Sequence, residues 1–121
     1  MSEQRQELLR KQFNAAVDSL DKTATRIRKV IRRPSTTAAE AATLLDELRN
    51  IHKLIEDVAA VRFDQLAQSS EITALTTELK SITKQLDDER DKMRTAAKTI
   101  ERAANVIGII AGALEKAAKL V

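Results

Sequence analysis

From Ile72 to Val121 the chain places Ile72, Leu75, Leu79, Ile82, Leu86, Glu89, Met93, Ala96, Ile100, Ala103, Ile107, Ile110, Leu114, Ala117 and Val121 at strictly alternating steps of three and four. Fourteen of these fifteen positions are apolar, in a chain that is 43% apolar. That spacing is the a/d seam of a heptad repeat. It keeps one greasy stripe along one side of a helix, and the stripe needs a partner along its whole length. The seam predicts a long helix and an all-α fold.

Little in the composition would interrupt helices. The 121 residues include two Gly, one Pro and no Cys, and the only aromatic rings are Phe13 and Phe63. A core without large rings must be filled by Leu, Ile, Val and Ala, which suits close helix-on-helix packing. The length is that of one domain. The absence of Cys excludes disulfide scaffolds and thiolate metal sites.

Three helices are expected, near residues 2–33, 37–68 and 70–121. In the first, Ser2 can cap the N-terminus, and Leu9, Phe13, Ala16, Val17, Leu20, Ala24, Ile27 and Ile31 recur on one face. Pro34 stops it, since proline lacks an amide hydrogen and disfavours helical geometry at Arg33. Thr37-Ala-Ala-Glu40 is a capping box that starts the second helix. Its wide apolar stripe comprises Ala41, Leu44, Leu45, Leu48, Ile51, Leu54, Ile55, Val58, Ala59, Val61, Phe63 and Leu66. Gln65 and Gln68 interrupt the seam extended backwards, and Ser70 can cap a third helix, so a turn is read at Gln65 to Glu71. The rival reading is one unbroken helix from Thr37 to the C-terminus, because neither Gly nor Pro enforces a break there. With the turn, the result is a long antiparallel three-helix bundle, a coiled coil with an extended C-terminal helix that overhangs by about 20 residues, roughly 30 Å.

The overhang carries the sequence's main functional clue. Residues 103–114 contain one polar side chain, Asn105, so this part is apolar around its circumference and needs cover. Both glycines lie in it, with Ala104, Gly108 and Gly112 spaced by four, a smooth strip that another helix could approach closely. Residues 103–121 are therefore read as an association segment, with Ala104, Val106, Ile107, Gly108, Ile109, Ile110, Gly112 and Leu114 meeting a partner or a membrane. The competing reading lets the tail fold back, bending near Gly108, to complete the protein's own core.

Charge is unevenly placed. Residues 1–34 hold nine Lys/Arg against four Asp/Glu, and residues 35–69 hold three against six. Arg26, Arg28, Lys29, Arg32 and Arg33 could bind an anionic ligand. Arg26, Lys29 and Arg33 share one side and Arg28 and Arg32 another, so they wrap the helix instead of forming one stripe. No aromatic is interleaved among them, and cations suit the carbonyl end of a helix in any case. Asp87, Asp88, Glu89 and Asp91 lack the turning backbone and glycine of a calcium loop and read as a solvated face. Glu89 differs because it occupies a seam position, where a lone charge sets register and requires a basic partner. His52 has neither a second imidazole nor a thiol for zinc and reads as a boundary residue. Met93 reads as a gap-filler in the seam.

No phosphate loop, nucleophile–base pair or metal-ligand spacing points to an enzyme, a cofactor or a metal. The expected function is non-enzymatic: an assembly or adaptor protein that oligomerises with itself or docks another helical protein through its C-terminal helix. The alternative is a membrane-active helical protein, a pore or toxin component, whose residues 103–121 engage lipid, with Lys116 and Lys119 suited to an interface. Nucleic-acid binding through the basic end of the first helix ranks third and is disfavoured. The charged stretch Met1 to Gln12 shows no secretory pattern, so a cytoplasmic location, peripheral to a membrane under the alternative, is the expectation.

Overall fold

The computed structural model describes residues 2–61 and 72–119. Among them are four α-helices: α1 (Ser2–Ile31), α2 (Ala38–Ala59), α3 (Ile72–Asp91) and α4 (Ala96–Lys119). They pack side against side around one apolar core, with no strand among the described residues.

Helix α1 is held by the face its periodicity announces. Leu9, Phe13, Ala16, Leu20, Ala24, Ile27 and Val30 are all essentially inaccessible, and each large side chain among them contributes on the order of 2 kcal/mol by leaving water. The helix ends at Ile31, where the Val30 carbonyl accepts from the Arg33 amide at 3.1 Å and from Thr36 Oγ1 at 2.6 Å. Residues 32–37 then turn the chain back. The capping box is formed in both halves: Thr37 Oγ1 accepts from the Glu40 amide at 3.1 Å, and Glu40 Oε1 accepts from the Thr37 amide at 3.0 Å. Helix α2 buries Leu44, Leu48, Ile51 and Val58. Leu45, expected inside, lies outside at 43% exposure, and Ala59 is also exposed. The stripe is narrower than its apolar content suggested. Helix α2 stops at Ala59, capped at Ala60, short of the expected residue 68. The expected turn at Gln65 to Glu71, with Phe63 and Leu66, lies outside the described residues.

The expected helix over 70–121 is two helices, not one. It breaks at Lys92–Thr95 and α4 runs back along α3, with Glu89 meeting Arg102 and Asn105 near one end and Glu78 meeting Lys116 towards the other. Met93, fully buried, plugs the turn. Thr95 starts α4 by accepting the Lys98 amide on Oγ1 at 3.1 Å, the half of a cap box that a hydroxyl supplies. The overhang is therefore absent. Ala103, Val106, Ile110, Ala113 and Ala117 of α4 are buried against the chain's own helices, and α4 stays helical through Gly108 and Gly112. The tail does fold back, but it does so sixteen residues ahead of Gly108, where the seam shows no interruption.

Neighbours around the bundle follow the order α1, α2, α4, α3, with only slight contact between α1 and α4 across the centre. The broadest interface joins α1 to α3, which run parallel: Ser19 meets Asp87, Arg26 meets the Met93 carbonyl and Arg33 meets the Arg94 carbonyl.

Candidate functional site

Two surfaces gather the residues singled out from the sequence. The first is α4. Its apolar segment does not present one face. Val106 and Ile110 point into the core, Ile107, Ile109, Gly112 and Leu114 lie half-buried on its flanks, and Ala104 and Gly108 face solvent with Ala111. Between Asn105 and Glu115 the exposed line is thus made of small residues. A Cβ built on Gly108 or on Gly112 meets nothing within 4 Å, and neither glycine has a positive φ. Nothing among the described residues requires a glycine at either position, although each costs about 1 kcal/mol of helix stability relative to Ala. Charges bracket the line. Glu101 pairs with Lys98 at 3.6 Å and Lys119 with Glu115 at 3.8 Å, all of them well exposed.

The second surface is the basic end of α1. Structure divides the five cations that sequence grouped together. Arg26 donates to the Met93 carbonyl at 3.4 Å, and Arg33 donates to the Arg94 carbonyl, so both cover the carbonyl end of the α3–α4 turn. Arg28 turns the other way and donates to Nε2 of His52 on α2 at 2.7 Å. Arg32 is exposed. Lys29 lines an open groove of about 260 Å³ with Lys22, Thr25, Arg26 and, from α3, Arg90. Lys22 and Arg90 were missed in the sequence. Lys22 lies one turn before the cluster, and Arg90 comes from a helix whose packing against α1 no local pattern states.

Arg90 is fixed in place. Its side chain is 16% exposed, and it donates to Asp87 Oδ1 at 2.8 Å and to both the carbonyl and the hydroxyl of Ser19 at 3.1 Å. Asp87 also accepts from Ser19 Oγ at 2.7 Å. Partial burial pushes the Asp87 carboxyl up, but the hydrogen bonds from Ser19 and Arg90, with the charges of Arg90 and Lys22, outweigh it and leave the pKa below the usual value.

Glu89, read as a lone seam charge, finds its basic partner within the chain. Oε2 lies 3.3 Å from Arg102 and 3.3 Å from the Asn105 amide, with the Glu89 and Arg102 side chains 16% and 21% exposed. The Arg102 Nε is buried without a hydrogen-bond partner among the described residues. Glu47 on α2 shows the opposite of Asp87: burial, and then the neighbouring Asp46 charge, raise its pKa.

Fold and surfaces together define an all-α protein with a small-residue outer face and a basic inter-helix groove. No family model matches the chain, and comparisons with curated proteins and with solved structures give no match. No helix among the described residues is long and apolar enough to cross a membrane.

Proposed function

We propose that the chain is a non-enzymatic assembly protein that pairs with a second copy of itself through the outer face of α4. The observation that carries this reading is the pair of helical glycines with open space where a Cβ would sit. Removing a side chain from an exposed helix weakens the monomer, and close approach of another helix is the physical return for doing so. The face also suits its own copy. At 100° per residue, Glu101, Gly108, Gly112 and Lys119 fall within about 40° of one another around the helix. An antiparallel pairing that sets Gly108 against Gly112 of the second copy brings Glu101 opposite the second copy's Lys119, and the two-fold axis repeats that contact. Half-buried Ile107 and Ile109 flank the line and supply apolar area to the pair.

Sedimentation equilibrium of the full chain beside Gly108→Lys tests the reading. The open space at Gly108 lets the substituted monomer keep its fold, which circular dichroism checks. A dimer mass for the native chain, reduced to a monomer mass by the substitution, is the expected result. A native chain that stays monomeric through the micromolar range overturns it, as does a dimer indifferent to the change.

A further inference from the structure

Lys22, Arg26 and Lys29 stand at i, i+4 and i+7 on α1, so they share one side of the helix. That side is the one that faces α3, where Arg90 completes the groove wall. We propose that this groove binds a phosphate group. Arg90 supplies a fixed positive charge, since Ser19 and Asp87 hold its guanidinium in place. The two lysines supply donors free to close on a ligand. Lys22 is engaged only in an exposed pair with Asp18 at 3.4 Å, which is a weak contact in water, and Lys29 makes no ion pair or hydrogen bond among the described residues. Thr25 lies between them in the groove lining, its hydroxyl donating to the Asp21 carbonyl at 3.1 Å.

The carboxylates nearby do not cancel this charge. Asp87 is taken up by Ser19 and Arg90, Asp18 is held in an exposed pair with Lys22, and the described groove lining itself has four cations and no carboxylate. A phosphate fits such a wall because it offers several acceptor oxygens and up to two charges to donors arriving from different directions. Among the described residues the groove lining contains no ring on which a base could stack, and Phe13 of the same helix is buried in the core, so a nucleic-acid strand is not the favoured occupant.

The test titrates the isotopically labelled full chain with inorganic pyrophosphate, followed by two-dimensional NMR. Saturable shifts at the amides of residues 22–29 and at Arg90 are expected. Lys22→Gln with Lys29→Gln, both at exposed positions, should weaken binding by about tenfold. Lys53→Gln with Lys98→Gln, which removes the same charge elsewhere, should leave it unchanged. Flotation on vesicles containing phosphatidic acid or phosphatidylserine separates the sources. Pyrophosphate binding without flotation assigns a free phosphate, and flotation preferring phosphatidic acid that the groove variant abolishes assigns a lipid headgroup. No saturable shift, equal weakening in both double variants, or retention only on oligonucleotides overturns the proposal.

Discussion

Ser19 Oγ lies 2.7 Å from Asp87 Oδ1 and donates to it, joining α1 to α3 across 68 residues of sequence. Ser19 is buried in the interface, and Arg90 reaches both residues, so three polar side chains satisfy one another where an unpaired one would be costly. Replacing Asp87 with Asn removes the charge but keeps the shape, and should lower stability at neutral pH by about 1 kcal/mol. The folded pKa lies below the ordinary value of 3.8, so this contribution is complete above that value and is lost as pH falls through the folded pKa. Urea unfolding midpoints of the native chain and Asp87→Asn should therefore differ at neutral pH and converge in acid.

Glu47 should behave with the opposite sign. Its pKa is raised by burial and by Asp46, so its charged form is disfavoured in the folded state once pH exceeds 4.5, and the penalty is complete above the folded pKa. Glu47→Gln is expected to raise the unfolding midpoint at neutral pH, and to give no gain below the carboxylate range. A loss of stability at neutral pH would contradict this.

The Glu89–Arg102 pair links α3 to α4 beside the turn that joins them. Removing Glu89 alone as Ala leaves a mostly buried guanidinium whose Nε is already without a partner, at an expected cost of about 2–4 kcal/mol. Replacing both residues with Leu should recover most of that loss, because an apolar pair needs no desolvation of charge. Chemical denaturation of Glu89→Leu, Arg102→Leu and the double variant measures the coupling.

Thr95 caps α4 with its hydroxyl alone, whereas Thr37 caps α2 within a reciprocal box. Thr95→Ala should cost about 1 kcal/mol, and Thr37→Ala should cost more because Glu40 then loses its matched geometry. Thermal unfolding followed by far-ultraviolet circular dichroism compares them.

The proposed self-pairing through α4 makes a charge-reversal experiment decisive. Glu101→Lys and Lys119→Glu should each weaken dimerisation by about threefold or more, and the two together should restore it, because the attraction across the two-fold axis is then re-formed in reverse. Analytical ultracentrifugation at low salt reads all three.

The core of α1 was legible because Leu9, Phe13, Ala16, Leu20, Ala24 and Ile27 repeat a single helical period, although at its end Val30 is buried where Ile31 was expected. The start of α2 was equally plain from Thr37 and Glu40. The break at Lys92–Thr95 was not legible, because Met93 and Ala96 carry the seam across it and neither Gly nor Pro lies there. Its one local signal is that Thr95-Ala-Ala repeats the Thr37-Ala-Ala that opens α2, with Lys98 in place of Glu40. A hydroxyl cap without its reciprocal glutamate is easily read as one more polar residue in a long helix. Once that break was missed, an overhang had to follow, and cover for Val106 and Ile110 had to be sought outside the chain. The basic groove was half visible. Spacing put Arg26, Lys29 and Arg33 on one side, but only the packing of α3 against α1 adds Arg90. Leu45 shows the reverse limit, since an apolar residue beside a wide stripe can still face water.

The side-by-side packing of α1 with α3 also sets how this chain reaches its native state. Helices adjacent in sequence can dock as soon as a short loop closes, but α1 must wait for a segment some seventy residues downstream before its largest surface is sheltered. During synthesis its greasy side would be exposed while α2 is still being made, so α1 and α2 are expected to form a loosely associated pair that becomes rigid only when α3 arrives. Folding should then be slower than in a bundle of the same size built entirely from hairpins, with Leu20 and Leu86 gaining protection from hydrogen exchange together.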